Sequence, residues 1–152
     1  MFEKKFFDLA IEMAKKAYKK DEVPVGCVIV KDGKVIAKAH NNRKKGSSID
    51  HAEIVAIRKA CKKLKALRLD GCDLYVTLEP CPMCCGAIIN SRIKNCYFGA
   101  YDEKSGYAKS LSTMFDDTRL NHKVVCEGGF EKEKCGRLLS TFFRNKRGKN
   151  DC

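Results

Sequence analysis

Apolar residues near the amino end recur at three- and four-residue intervals: Phe2, Phe6, Leu9, Ala10, Met13 and Ala17. That period puts them on one face of a helix ending near Lys20. The pattern then shortens. "VPVGCVIV" and "VIAKAH" read as two β-rich runs, joined at Asp32-Gly33 in "KDGK" by the dipeptide that best supports a hairpin turn. Residues 42–50 are polar and basic and form a loop. From His51 the helical period returns in Ile54, Ile57, Cys61 and Leu64, with Asp50 placed to cap the helix start.

"CDLYVTL" is short, apolar and β-branched, hence a strand, and Pro80 or Pro82 opens a third helix that runs to about Ser91. "NCYFGA" reads as a strand and "KVVCEG" as another, with an irregular or short-helical insert over 101–122 between them. A C-terminal helix over 131–147 carries Leu138, Leu139, Phe142 and Phe143 on its apolar side. This alternation predicts an α/β fold, a three-layer α/β/α sandwich around a central mixed sheet. The 152 residues suit one domain spanning 1–152. There is no internal repeat or interdomain linker, and 148–152 reads as a frayed tail.

Composition narrows the classes. Hydrophobic residues make up 44% and charged residues 33%, and no apolar run approaches the ~20 residues needed to span a bilayer, so no membrane association is expected. The amino end is broken by charges and has no apolar segment before a small-residue cleavage site, so a cytoplasmic location is expected. There the ten cysteines stay reduced, and clustered thiols bind metal or do chemistry more often than they pair. Cys27, Cys61, Cys72, Cys96, Cys126 and Cys135 lie scattered among apolar neighbours and read as packing. Thirty-one Lys and Arg against 19 Asp and Glu give a formal charge of +12. Such an excess suits a polyanionic partner, although lysines also decorate any solvated face. "NNRKKG" at 41–46 and "FFRNKRGK" at 142–149 concentrate it.

The candidate chemistry sits in "LEPCPMCCGA", residues 78–87. Cys81 and Cys84 are three apart, so on a helix they project from nearly the same side and can share one ion. In the first turn they also feel the positive end of the helix dipole, which favours thiolates. A lone CxxC also occurs in dithiol redox motifs, but those stand in another context. "HAE" at 51–53 opens the preceding helix, and consecutive βα units bring such helix starts together. His51, Cys81 and Cys84 then offer one nitrogen and two sulfurs, a donor set zinc prefers, with its fourth position left to water. Cys85 lies ~100° further round the helix and points away; His40 and His122 stay open as a fourth ligand. Glu53 is the candidate proton carrier beside this ion. On an ideal helix it would point ~200° from His51, so it serves only if His51 lies at the very start of the helix.

"HAE" with "PCPMC" resembles the HxE and PCxxC signature of the zinc nucleobase deaminases. "DEVPVGCVIV", "HAEIVAIRKA", "LYVTLEPCPMCCGAIINSRI", "FGAYDEKSG" and "NHKV" are similar, in order and over nearly the whole chain, to bacterial tRNA-specific adenosine deaminases of the cytidine/deoxycytidylate deaminase superfamily. The resemblance implies a cytidine deaminase-like fold, one zinc ion per subunit, a homodimer, and hydrolysis of adenosine to inosine at the wobble position (position 34) of a tRNA anticodon. It makes His51, Cys81 and Cys84 the metal ligands and Glu53 the catalytic residue. Val25 and Asn41 match positions lining the base pocket. Asp102 and Lys104 fall where flanking nucleotides are contacted, and Phe143, Arg144 and Arg147 on the helix that meets the anticodon stem-loop.

The chain departs from that pattern in places. "SSIDHAE" is about one residue shorter than the usual loop, which makes Asn42 an alternative to Asn41. Cys85 replaces a common alanine, and Tyr101 stands where an arginine or acidic residue is frequent. The other reading is a small-molecule deaminase for cytosine or guanine, which shares the metal site but has no need of basic tracts.

Overall fold

Alternating side chains of three strands divide the core in two. Cys27, Ile29, Leu74, Val76, Cys96 and Phe98 pack into one cluster, and Val28, Val30, Tyr75 and Tyr97 into another. Neighbouring residues of a strand face opposite ways, so the sheet buries both faces, as the predicted three layers require. The computed structural model describes residues 1–150, with side chains through Arg147. Its elements are α1 (Lys4–Lys19), β1 (Gly26–Lys31), β2 (Lys34–His40), α2 (Ala52–Leu64), β3 (Cys72–Leu78), α3 (Pro82–Asn90), β4 (Asn95–Ala100), β5 (Val125–Glu127) and α4 (Lys132–Asn150).

The five strands lie in the order β2-β1-β3-β4-β5. β1 is antiparallel to both β2 and β3, whereas β3, β4 and β5 run parallel, which makes the sheet mixed. Asp32 and Gly33 both take positive φ (50° and 74°), as the tight turn between β1 and β2 demands. A bulge follows, since Ile29 pairs with Ala37 but Val30 with Val35.

α1 brings Phe6, Phe7, Ala10 and Ile11 onto one face of the sheet, joined there by Cys135 of α4. Its close approach depends on Gly26, where a Cβ would collide with the backbone of Ala10 and Ala14. α2 contributes Ala52, Ala56 and Ala60 to the other face, and α3 contributes Cys85, Ile88 and Ile89. Burial of a fully enclosed side chain such as Phe7 or Ile88 stabilises the fold by roughly 1.5–3 kcal/mol. The insert over 101–122 is irregular apart from a 3-10 turn at Met114–Asp116, which buries Phe115.

Three expectations change. The residue at the N-cap of α2 is His51, and the Asp50 carboxylate instead accepts the Ser47 N–H (3.0 Å) and pairs with Arg58 (3.4 Å). Two residues of connection before the helix give Asp50 a turn to close. Phe142 is buried, but Phe143 is 43% exposed, because ~100° per residue turns it out of the apolar face. The backbone of α4 stays helical through Asn150, where a tail was expected from 148; residues 151–152 lie outside the described residues.

No helix among the described residues is long and apolar enough to cross a membrane. Among them nine cysteines are free.

Candidate metal centre

β2 and β3 are each antiparallel to β1, so both point the same way and end at the same edge of the sheet. α2 follows one and α3 the other, so two helix starts meet there. His51 is the N-cap of α2 and Cys81 the N-cap of α3, each with an extended backbone. Pro82 at the first position of α3 fits because its missing N–H would have no intrahelical partner. Neither His51 nor Cys81 caps its own helix with its side chain. Those side chains meet one another.

His51 Nδ1 lies 3.7 Å from Cys81 Sγ and 3.6 Å from Cys84 Sγ, and the three ligand atoms fall within 4.8 Å of one another. Zinc bonded at ~2.3 Å to sulfur and ~2.0 Å to nitrogen, in tetrahedral geometry, sets a nitrogen–sulfur edge of about 3.5 Å. The donor set fits a zinc ion in identity and in spacing. Cys85 stays out of it, buried, with its thiol directed at the Pro80 carbonyl (3.6 Å). His40 is bonded to the Asn41 carbonyl (2.8 Å) and His122 to that of Ile93 (2.7 Å), and neither joins the group.

The three groups share protons that a bound cation would displace. The hydrogen bond from Cys84 draws the Cys81 thiol down to about 4 against the opposing effect of burial, with His51 assisting. Cys84, the donor, is pushed far up by that bond and by its own burial. The hydrogen bond with Cys81 raises His51. Two helix starts add their positive ends, which favour thiolates further.

A cavity of about 170 Å³ is lined by His51 and Cys81 together with Val23, Val25, Asn41, Arg43 and Glu53, while Cys84 is fully buried. Residues 1–100 match the family model for the cytidine and deoxycytidylate deaminase zinc-binding region. The chain belongs to that deaminase family.

Among its relatives, the tRNA-specific adenosine deaminase of Bacillus subtilis is 49% identical over 92% of this chain and 88% of its own. A structure from a study of A-to-I editing by tRNA:A34 deaminases superimposes with a TM-score of 0.85 at 40% identity, covering 90% of this chain and all of that one. The guanine deaminase of Bacillus subtilis gives 0.64 at 33% identity, covering 95% of each.

Three carboxylates line the deaminase cavity, and they differ in what remains free. Glu79 is occupied by four donors, the N–H groups of Asp102 (3.0 Å), Lys109 (2.8 Å) and Ser110 (2.8 Å) and the Ser110 hydroxyl. Asp102 closes a turn by accepting the N–H groups of Lys104 and Ser105, both at 3.1 Å. Glu53, in the first turn of α2, is 4% exposed and faces the Cys84 thiol. Burial raises its carboxyl to about 7, within reach of proton exchange near neutrality. The angular objection to Glu53 does not apply, since His51 precedes the helix and its direction is not set by helical period.

Val25 and Asn41 are buried in the cavity wall, and Asn41 rather than Asn42 takes that place. Asp102 lines both this cavity and a neighbouring cleft of about 760 Å³, whose walls also carry Lys104, Phe143 and Arg147. Phe143 further borders a groove of about 460 Å³ holding Arg43, Lys44 and Lys146. Arg144 is exposed on α4 and lines none of these three spaces. Arg43, Ser105 and Glu79 line the cavity without being among the expected site residues, because a loop residue has no period to reveal its direction.

Proposed function

We infer that this deaminase converts adenosine to inosine at the wobble position, 34, of a tRNA anticodon, with release of ammonia. The observation that carries the substrate is the 49% identity to the Bacillus subtilis tRNA-specific adenosine deaminase across 92% of the chain. The setting of the metal centre supports it. The cavity opens into grooves whose rim carries Arg43, Lys44, Lys104, Lys146 and Arg147, which suits a phosphate backbone. The smaller likeness to a guanine deaminase accords with a shared fold and metal centre, and an enzyme for a free base has no use for that rim.

His51, Cys81 and Cys84 hold the metal. Zinc, when bound there, supplies a Lewis acid that makes water a nucleophile near neutral pH. Glu53 accepts the two protons of the attacking water in turn, passing one to N1 of the adenine and the other to the departing amino group, so that adenosine and water become inosine and ammonia. Its burial keeps it near the pH at which it can do both. Val25 and Asn41 flank the base. Asp102 and Lys104 meet the neighbouring nucleotides, and Phe143 and Arg147, with Arg144 beside them on α4, meet the anticodon stem-loop. An unpaired loop has no base pair to break and has already met part of the cost of extruding a base, which favours it as substrate. The enzyme acts as a single-domain chain paired in a homodimer, in the cytoplasm where its substrate is.

Incubation with total tRNA followed by sequencing tests this, since inosine is read as guanosine. An A-to-G change at position 34 is expected, and its absence from every tRNA overturns the reading.

A further inference from the structure

Among the described residues three carboxylates are buried, Glu22, Glu53 and Glu79; Glu53 and Glu79 line the cavity over the metal centre, and Glu22 lines the groove beside it. Burial of a carboxylate is costly unless hydrogen bonds replace its water, so each calls for an explanation. Glu53 has one in proton transfer. Glu22 and Glu79 share another, visible in their partners.

Glu22 precedes β1 and reaches across to the basic loop, where it accepts the N–H groups of Arg43 (3.1 Å) and Lys44 (2.8 Å). Glu79 follows β3 and collects the N–H groups of Asp102, Lys109 and Ser110 and the Ser110 hydroxyl. Each set of donors belongs to a segment that lines the cleft: residues 41–48 form one wall, and 101–105, which lead on to Lys109 and Ser110, form another. Neither wall is part of a strand or helix, so regular hydrogen bonding does not fix it. The wall at 101–110 folds around Glu79 closely enough that a Cβ on Gly106 would collide with the Glu79 carboxyl carbon. The geometry points to Glu22 and Glu79 as a pair of positioning residues, each mooring one wall of the nucleotide-binding cleft through backbone N–H groups. Neither carboxylate touches substrate. They set where Arg43, Lys44, Asp102 and Lys104 stand when the RNA arrives, and so govern its affinity and the reading of the nucleotides beside the target base.

This inference rests on the proposed tRNA reading for its substrate, and the test separates the two. In Glu79→Gln the amide N–H₂ must face backbone donors, which breaks half of the set while keeping side-chain volume. In the zinc-loaded full chain, amide hydrogen exchange at Lys109 and Ser110 should quicken about tenfold in Glu79→Gln, and at Arg43 and Lys44 in Glu22→Gln. With an anticodon stem-loop RNA, KM should rise about tenfold in each, with the change falling mainly on KM rather than kcat. The penalty for replacing a nucleotide next to the target adenosine should shrink in Glu79→Gln. Ser110→Ala, which removes a single donor, should show the same changes in smaller degree, and it serves if Glu79→Gln does not fold.

Unchanged exchange at these amides overturns the inference whether or not RNA is a substrate. Faster exchange with unaltered KM and unaltered nucleotide discrimination overturns it too, since the walls would then be moored without guiding substrate. A wild-type chain that leaves RNA untouched defeats the tRNA reading and the positioning role that rests on it, while exchange still reports the mooring.

Discussion

Phe142 and Phe143 meet edge to face at 5.4 Å between ring centroids, yet the first is buried and the second is 43% exposed on the ridge between two grooves. Phe142 also packs against Tyr18 of α1 at 5.7 Å. The neighbours should therefore fail in different ways. Phe142→Ala is expected to lower unfolding free energy by about 3 kcal/mol, read by urea denaturation. Phe143→Ala should change stability little but weaken stem-loop RNA binding by about 1–3 kcal/mol, the usual worth of a base stacked on an aromatic ring. Equal stability losses in both variants would remove Phe143 from the binding surface.

The three donors at the helix starts lead to an expectation about reactivity. Stripped of metal with a chelator, the chain should show Cys81 as its fastest-alkylating thiol at pH 7, because it is drawn down to about 4 while burial raises Cys27, Cys72 and Cys135. Restoring zinc should protect it at a ratio of one ion per chain, measured by peptide mapping and elemental analysis. His51→Ala should lose both the ion and the protection.

Glu53 is expected to act on protons without holding the ion. Glu53→Gln should keep its zinc and its fold while kcat falls by about 10²–10⁴, the range that a positioned acid or base contributes. Loss of zinc from this variant would place Glu53 among the ligands instead.

Glu79 should also leave a mark on stability. Burial pushes its carboxyl up, but the hydrogen bonds from Ser110, Lys109 and Asp102 outweigh that and hold it below the usual range. A folded value below the unfolded one of about 4.3 means that the stabilisation is complete above that pH and is lost as pH falls through the folded value. The stability advantage of wild type over Glu79→Gln should therefore be constant from pH 6 upward and narrow toward pH 3. A gap independent of pH would show that charge plays no part in the mooring.

Much of the framework was legible because it follows local rules. The period of Phe6, Ala10, Met13 and Ala17 gave α1, Asp32-Gly33 gave the hairpin, and Pro82 marked the start of α3. The spacing of Cys81 and Cys84, with His51 at an earlier helix start, pointed to the three residues that the fold brings together. Strand order was hidden, since nothing in "GCVIVK" says that β1 will lie between β2 and β3. Hidden too were the duties of Glu22 and Glu79, whose partners stand 21 to 31 residues away in loops. Asp50 shows the limit of a local rule: it is the right residue type for a cap, one position too early.

Cys81 and Cys84, once deprotonated, would cancel the charge of a divalent ion held between them, so the metal centre would add little to the field of a chain carrying +12. The attraction felt by an approaching nucleic acid then originates at Arg43, Lys104 and Arg147, with Lys44 and Lys146 sharing the carboxylate of Asp21 between them. A nucleotide entering such a field is sorted by its parts: the anionic phosphates are detained at the lip, and the uncharged ring system alone is free to descend.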